Sequence, residues 1–505
     1  MKKGRPLFVV ASSGTVRRDV ASQTVFSSHR FSSPRCTFFD RKNPKEEVAF
    51  YLKPSLRKFQ YHKNERFSRL KNVPALYVVS QFSEEFQEGT QLGRGAVCIK
   101  NGKKWASAVS EQVSLELAVR EVCDRIEQLM GGTKADFGFL FISDTFSSEY
   151  PRLLPLIENR LEIKHLIGCS GGGVIGCDAT GYPQEFETKP ALSLTVAQLP
   201  GVEIEPFQIY SRPESRDLPD LDQGPNQWIE LFGGVPPEKN PNFILFVDPT
   251  YSNMNDLLLG MDFAYPNRPK VGGVCSYADG SSALFLSNQL RRQGVVGLAL
   301  HGDITVDTIV AQGCRPIGRS VSVTGASRNI ILALEDRPAL DVVQDIVTGL
   351  SDTDRQLAAH SLFVGLVHDP FQDNPKSGDF LIRNLIGVDP AYGALAVGAS
   401  IRSGQRVQFH IRDSSASRED LRTLLSNYEP TAPEGQIGAP PVGILMVSCM
   451  GRGEGLYGVK NHDSGLVRAY LPDIPITGFF ANGEIGPIGK STYLHGYTSV
   501  FAIFR

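Results

Sequence analysis

The chain has 505 residues, with 52 Lys and Arg against 54 Asp and Glu and 41% hydrophobic residues. These values exclude global disorder, a collagen-like fibre and a long coiled coil. The length exceeds the roughly 250–300 residues that one core serves, so at least two lobes are expected. A formal charge of -2 argues against a dedicated nucleic-acid binder.

The first 39 residues hold seven basic residues, one acid and ten Ser or Thr. That composition predicts a cleaved organelle transit peptide, plastid rather than mitochondrial, with a disordered cytosolic tail as the alternative. Residues 1–72 as a whole carry 17 basic and 5 acidic residues, leaving 35 basic and 49 acidic residues in 73–505. The near-neutral total therefore joins a basic leader to an acidic body, which removes the folded part further from nucleic-acid binding. No uncharged apolar run approaches the ~18–20 residues of a membrane-spanning helix, so no transmembrane segment is expected; 294–302 and 442–450 read as buried strands.

Leu115, Val119, Val122, Ile126 and Leu129 predict an amphipathic helix, with Ser110 or Ser114 as its N-cap. The runs 137–142, 166–169 and 243–247 read as central strands, and alternating Leu192, Leu194 and Val196 as a half-exposed strand. Several strands and no helix are expected from Val271 to Leu334. Pro338 opens a helix carrying Leu340, Val343, Ile346, Val347 and Leu350, since proline suits helix starts. Strict alternation at 406–412 gives a strand, Leu421, Leu424 and Leu425 a helix stripe, and the tail after Gly478 is strand-rich. The mixture lacks a doubly wound β-α rhythm, so the class is α+β: two mixed lobes with largely antiparallel or mixed sheets flanked by helices. No repeat of fixed period is visible.

The eight cysteines form no C-x-x-C pair and the nine histidines no H-E-x-x-H, so no metal site is expected and a reducing compartment is the natural reading. Gly168-Cys169-Ser170-Gly171-Gly172 matches G-x-S-x-G, and 171–176 matches G-x-G-x-x-G, but neither is followed by a helix-like segment. Gly171–Gly173 reads first as a sharp loop and second as a wall of backbone donors facing a ligand. In 448–453, Cys449, Gly451 and Arg452 follow an apolar strand and suit a pocket for an anion or carbonyl. Asn482, Glu484, His495 and Arg383 lie beside other strands. The competing reading is a satisfied buried network that fixes strand register.

Gln312-Gly313-Cys314-Arg315-Pro316-Ile317-Gly318, the 448–453 segment, and above all 478–489 with Leu494-His495-Gly496-Tyr497-Thr498 resemble FIST-domain proteins. The resemblance spans roughly 75–505, and Met261-Asp262-Phe263-Ala264-Tyr265-Pro266 looks like the cyanobacterial and plastid branch. After the basic leader and linker of 1–72, it implies a FIST N-terminal domain over 73–334 and a FIST C-terminal domain over 335–505. It also implies a sensory ligand-binding module for a small polar metabolite, such as an amino acid derivative, acting through a separate protein effector. No cofactor is predicted; haem enters only by association with some family members. The expected ligand contacts are Arg383, Cys449, Gly451, Arg452, Asn482, Glu484 and His495, with Ser170, Gly171 and Gly172 from the first half. The expected location is the plastid stroma, with the cytoplasm as alternative. The rival functions are a hydrolase or transferase using Cys169, Ser170 or Cys449 with His301 or His495 as base, and a protein-interaction scaffold.

Overall fold

A computed structural model describes residues 95–505, apart from 211–217, 279, 369–374, 376–377 and 431–437. The described residues belong to one compact unit, Gln87–Arg505; the basic leader lies outside them.

Three of the four sheets follow one plan. In the first copy, strand Lys103–Ser110 leads through helix Leu115–Met130 to strand Ala135–Ser143. Helix Tyr150–Glu158 then returns to the parallel strand Ile163–Gly171, followed by the hairpin Val174–Cys177 and Pro183–Phe186 and the closing strand Leu192–Gln198. The second copy runs Val202–Ile209, helix Asn226–Leu231, Asn242–Val247, helix Met254–Ala264, Lys270–Val274, the hairpin Leu284–Leu286 and Gln289–Arg291, and Val295–Gly302. The third runs Val306–Ala311, helix Ser414–Ser426, Gly443–Cys449, helix His462–Tyr470, Ile476–Ala481, the hairpin Glu484–Ile488 and Ser491–His495, and Ser499–Phe504.

The register confirms the equivalence. Each parallel pair sets a glycine opposite an apolar residue: Gly168 faces Leu140, Gly272 faces Leu245, and Gly478 faces Met446. At all three positions a Cβ would run into the carbonyl of that partner, so the approach of the two strands requires glycine. Each hairpin leaves its own copy. The first pairs with Ile476–Ala481, the second with Ile163–Gly171, and the third with Lys270–Val274, so the exchange is cyclic.

The inner faces of the three sheets share one core, in which Phe141, Phe246 and Phe479, one from each copy, meet at 5.1–5.4 Å between ring centroids. Helices cover each outer face. Leu115–Met130 buries Leu115, Val119, Val122 and Ile126 as the spacing predicts, with Ser114 as N-cap. The strand Leu192–Gln198 is not half-exposed: six of its seven residues are buried, because layers cover both faces and Ser193 Oγ meets Thr477 Oγ1 at 3.2 Å.

The third copy carries an insertion between Ala311 and Ser414. Its long first strand, Cys314–Ser327, pairs with Arg406–Arg412 across one irregularity in register and then with Ile330–Leu334 across two more, so the sheet closes on itself. Helices Ala339–Thr348 and Asp352–Ala358 pack on its apolar side with Ile317, Val364 and Phe409. The class is α+β with mixed sheets, as expected. The boundary at 334/335 falls inside the insertion, and two of the other sheets take strands from both sides of it.

Candidate functional site

The segment 448–453 lies at the carboxyl end of strand Gly443–Cys449. Arg452 is wholly buried there: Nε donates to Asp463 Oδ2 at 2.7 Å, Nη1 to the Ala311 and Tyr497 carbonyls, and Nη2 to Tyr457 Oη at 2.6 Å. Burial alone would raise the Asp463 carboxyl, yet Arg452, with His462, holds it well below the usual range. Ser499 Oγ also donates to Asp463 at 3.0 Å. Arg452 thus has its acid within the chain and joins the helix His462–Tyr470 to the sheet.

The repeat isolates what is special at Cys449. Ser143, Asp248 and Cys449 end equivalent strands, and the backbone N–H of each donates to the carbonyl of an equivalent residue, Ala191, Gly294 and Thr498. In the first two copies the side chain completes the loop: Ala191 N–H donates to Ser143 Oγ at 2.9 Å, and Gly294 N–H to Asp248 Oδ2. In the third, Thr498 N–H donates instead to Glu484 Oε2 at 3.1 Å, and Cys449 stays open and half-buried.

Glu484 comes from the exchanged hairpin. It pairs with Gly273 as Val174 pairs with Phe479 and Leu284 with Cys169, so its counterparts are apolar. It is fully buried and its Oε1 has no hydrogen-bond partner. Desolvation lifts its carboxyl well above the usual range, against the pull of Thr498 N–H, Arg452, Cys449 and Arg412. Burial, and then the Glu484 charge, push the Cys449 thiol to about 11, although Gly451, Tyr497 and Arg412 oppose this.

Arg412 completes the group. It donates to the Gly451 carbonyl and lies 4.8 Å over the Tyr497 ring, while its buried Nε has no partner. Burial lowers its pKa, and no acid pairs with it among the described residues. Tyr497, at φ 63°, is held in the left-handed region. Arg412 lies opposite Cys314 in the inserted sheet, and Cys314 packs with Phe363, Phe380 and Tyr497. The group therefore sits where the insertion meets the third copy.

The other expected site residues are more dispersed. Arg383, in the inserted strand Phe380–Asp389, donates to the Ile382 carbonyl, and burial lowers it to about 10. His495 is buried, with Nε2 at 3.0 Å from the Gly486 carbonyl. Asn482 is exposed and its N–H donates to the Val274 carbonyl. Ser170 Oγ accepts from Ala283 N–H at 3.1 Å and donates to the Ser276 carbonyl, fastening an exchanged hairpin. Gly171 and Gly172 form a tight turn between strands, with Met450 packed over Gly172. Cys169 is buried in the shared core, and His301 lies at the opposite end of the sheets, beside Asn242. Sequence reasoning passed over Arg412, Tyr497, Tyr457 and Asp463; only Tyr497 lay in a segment singled out by resemblance. Two cavities, of about 380 and 470 Å³, are lined by Ile126, Met130 and Arg160 and by Lys164, His165 and Glu203, away from this group.

Burial holds the imidazoles of His495 and His410 down at about 4, against ~6.5 unfolded. A depressed histidine binds fewer protons folded than unfolded between these values, so stability is lost as pH falls from 6.5 to 4, about 3 kcal/mol per histidine at the lower end. The difference in urea midpoint between pH 7 and pH 5 is expected to shrink in His410→Gln, which isolates this contribution from the carboxyls that titrate oppositely. An unchanged difference would contradict it.

The three-sheet body with exchanged hairpins sets a divergent polar group at one strand end, beside the inserted sheet. The chain belongs to the FIST family: the FIST N domain matches residues 136–337 and the FIST C domain residues 339–487. An uncharacterized protein of Mycobacterium tuberculosis is 34% identical over 382 residues, covering 75% of this chain and 93% of the relative. One of Mycobacterium bovis is 38% identical over 391 residues, covering 77% and 95%. An F-box/LRR-repeat protein of Arabidopsis thaliana is 28% identical over 149 residues, covering 26% and 27%. The plastid branch suggested by resemblance finds no support in the mycobacterial relatives. A crystal structure of cyanuric acid hydrolase from A. caulinodans covers 79% of this chain and 98% of its own, at 8% identity and a TM-score of 0.27, too distant to carry an argument. Among the described residues no helix is long and apolar enough to cross a membrane.

Proposed function

We propose that this chain is a ligand-binding sensory protein whose site lies where Cys449, Glu484, Arg412 and Tyr497 meet, with Arg383, Gly451, Asn482 and His495 around it. The observation that carries this reading is a pair of buried polar atoms of opposite character without partners, Glu484 Oε1 and Arg412 Nε, on two residues whose charges both act on Cys449. A buried polar group left unpaired costs about 1–3 kcal/mol, so a ligand that satisfies both gains what the empty site forgoes. An acid group answers the guanidinium and a hydroxyl or amine answers the carboxyl, which fits a small polar metabolite such as an amino acid derivative. Arg452 acts through the scaffold rather than by contact. Because Arg412 belongs to the inserted sheet and Glu484 to the three-sheet body, binding would tighten one against the other and present an altered surface to a separate effector protein.

His495 offers no axial ligand for haem, since its Nε2 is directed to the Gly486 carbonyl. A plastid location rests on the basic, Ser-rich leader alone; a fluorescent fusion of residues 1–72 that stays in the cytoplasm would remove it. The binding reading is tested by thermal shift against a panel of amino acids, keto acids and nucleotides. A saturating ligand is expected to raise the wild-type Tm by on the order of 3–5 °C and to lose that effect in Arg412→Gln. Equal shifts in both proteins would overturn the assignment.

A further inference from the structure

We propose that Cys449 and Glu484 form a thiol–carboxyl pair that captures the carbonyl carbon of a small aldehyde or keto acid as a reversible hemithioacetal, with Arg412 holding the ligand's carboxylate. This rests on the site proposed above and adds a covalent step to it.

Three observations converge. The repeat shows that the end-of-strand side chain receives the returning strand's N–H in two copies, whereas at Cys449 that N–H goes to Glu484 instead. The Glu484 carboxyl replaces the aliphatic residues of the other two copies, interacts with the Cys449 thiol, and holds one wholly buried oxygen with no other partner. Backbone N–H groups of Gly451 and Tyr497 also point toward the sulfur, the first at 3.5 Å, where they would steady negative charge developing on it. Among the described residues seven cysteines are free, and six of them are buried; Cys449 is the accessible one.

The chemistry follows from what the site supplies. A neutral carboxyl can donate a proton from one oxygen while its other oxygen accepts one. The Cys449 S–H bond breaks and the Sγ–C bond forms; the thiol proton passes to Glu484, and Glu484 passes its own proton to the carbonyl oxygen. Glu484 ends as it began, nothing is oxidised, and no leaving group departs. A carbonyl is favoured over an ester or amide because His495, the histidine expected to serve a leaving group, is directed away to the Gly486 carbonyl. The carboxylate requirement comes from Arg412, which forms no ion pair with an acid among the described residues.

The probe is glyoxylate, which joins an aldehyde to a carboxylate, compared with acetaldehyde, which lacks the anion. Iodoacetamide labelling of Cys449 is followed by peptide mapping, which separates it from every other cysteine. Glyoxylate is expected to slow that labelling by about tenfold at concentrations where acetaldehyde has no effect, and Arg412→Gln should reduce glyoxylate to the level of acetaldehyde. Labelling indifferent to glyoxylate overturns the capture. So does a glyoxylate-induced Tm shift that is as large in Cys449→Ser as in wild type, because the ligand then binds without the sulfur. In both cases, a panel shift that still depends on Arg412 leaves the binding reading standing; loss of that shift as well removes both.

Discussion

Replacing Asp463 by alanine is expected to lower stability by about 3–5 kcal/mol, enough to leave much of the protein unfolded at 37 °C. The reason is the partner left behind. Arg452 has no solvent access, and its guanidinium is held between Asp463, Tyr457 Oη and two carbonyls. Without Asp463 a full positive charge remains buried with neutral acceptors only. Removing both charges, as Arg452→Met with Asp463→Leu, is expected to recover most of the loss, since a buried pair roughly offsets its own desolvation. Urea midpoints of the single and double variants decide this; a double variant as weak as the single would place the loss in packing instead. Arg319 and Glu335 make the useful contrast. They pair at the surface, where removing Glu335 should change stability by less than about 1 kcal/mol.

Alanine at Gly168, Gly272 or Gly478 is expected to abolish folding or to cost more than about 4 kcal/mol, among the largest effects of any single methyl group. Each of these glycines lies where an added Cβ meets a backbone carbonyl of the adjacent parallel strand, and a carbonyl in a ladder cannot swing aside as a side chain can. Gly455 in the short helix Glu454–Tyr457 is the control: nothing lies within 4 Å of its added Cβ, so Gly455→Ala should be neutral or stabilising by under about 1 kcal/mol. Circular dichroism melts of the four variants test the point. If the three ladder glycines tolerate alanine with Tm within a degree of wild type, the threefold register is wrong.

Much of the fold was legible because local pattern and tertiary context agree. The helix Leu115–Met130 and the strands around 137–142, 243–247 and 406–412 carry their period in plain view. The half-exposed reading of Leu192–Gln198 failed because Ser193 and Thr195 imitate a solvent face while packing between layers. The threefold plan was hidden for a different reason. Its signature is one glycine per copy, at unequal spacings, with the third copy split by the insertion. At the site, residue type and resemblance singled out Cys449 and Glu484 among the expected ligand contacts. It could not show that Arg452 is answered by Asp463, a residue eleven positions away on a helix, nor that Arg412 arrives from the inserted sheet.

The cyclic exchange of hairpins also fixes when the protein can finish folding. During synthesis the second sheet lacks its edge hairpin until Glu484–His495 emerges, and the hairpin Val174–Phe186 waits unpaired for Ile476–Ala481, about three hundred residues later. A ribosome-bound chain halted at residue 337, the end of the FIST N domain match, would expose the edges of Lys270–Val274 and Val174–Cys177, and leave Val306–Ala311 and Cys314–Ser327 without their later partners. Those edges stay open to wrong pairing until Ile476–Ala481 and the hairpin Glu484–His495 have emerged.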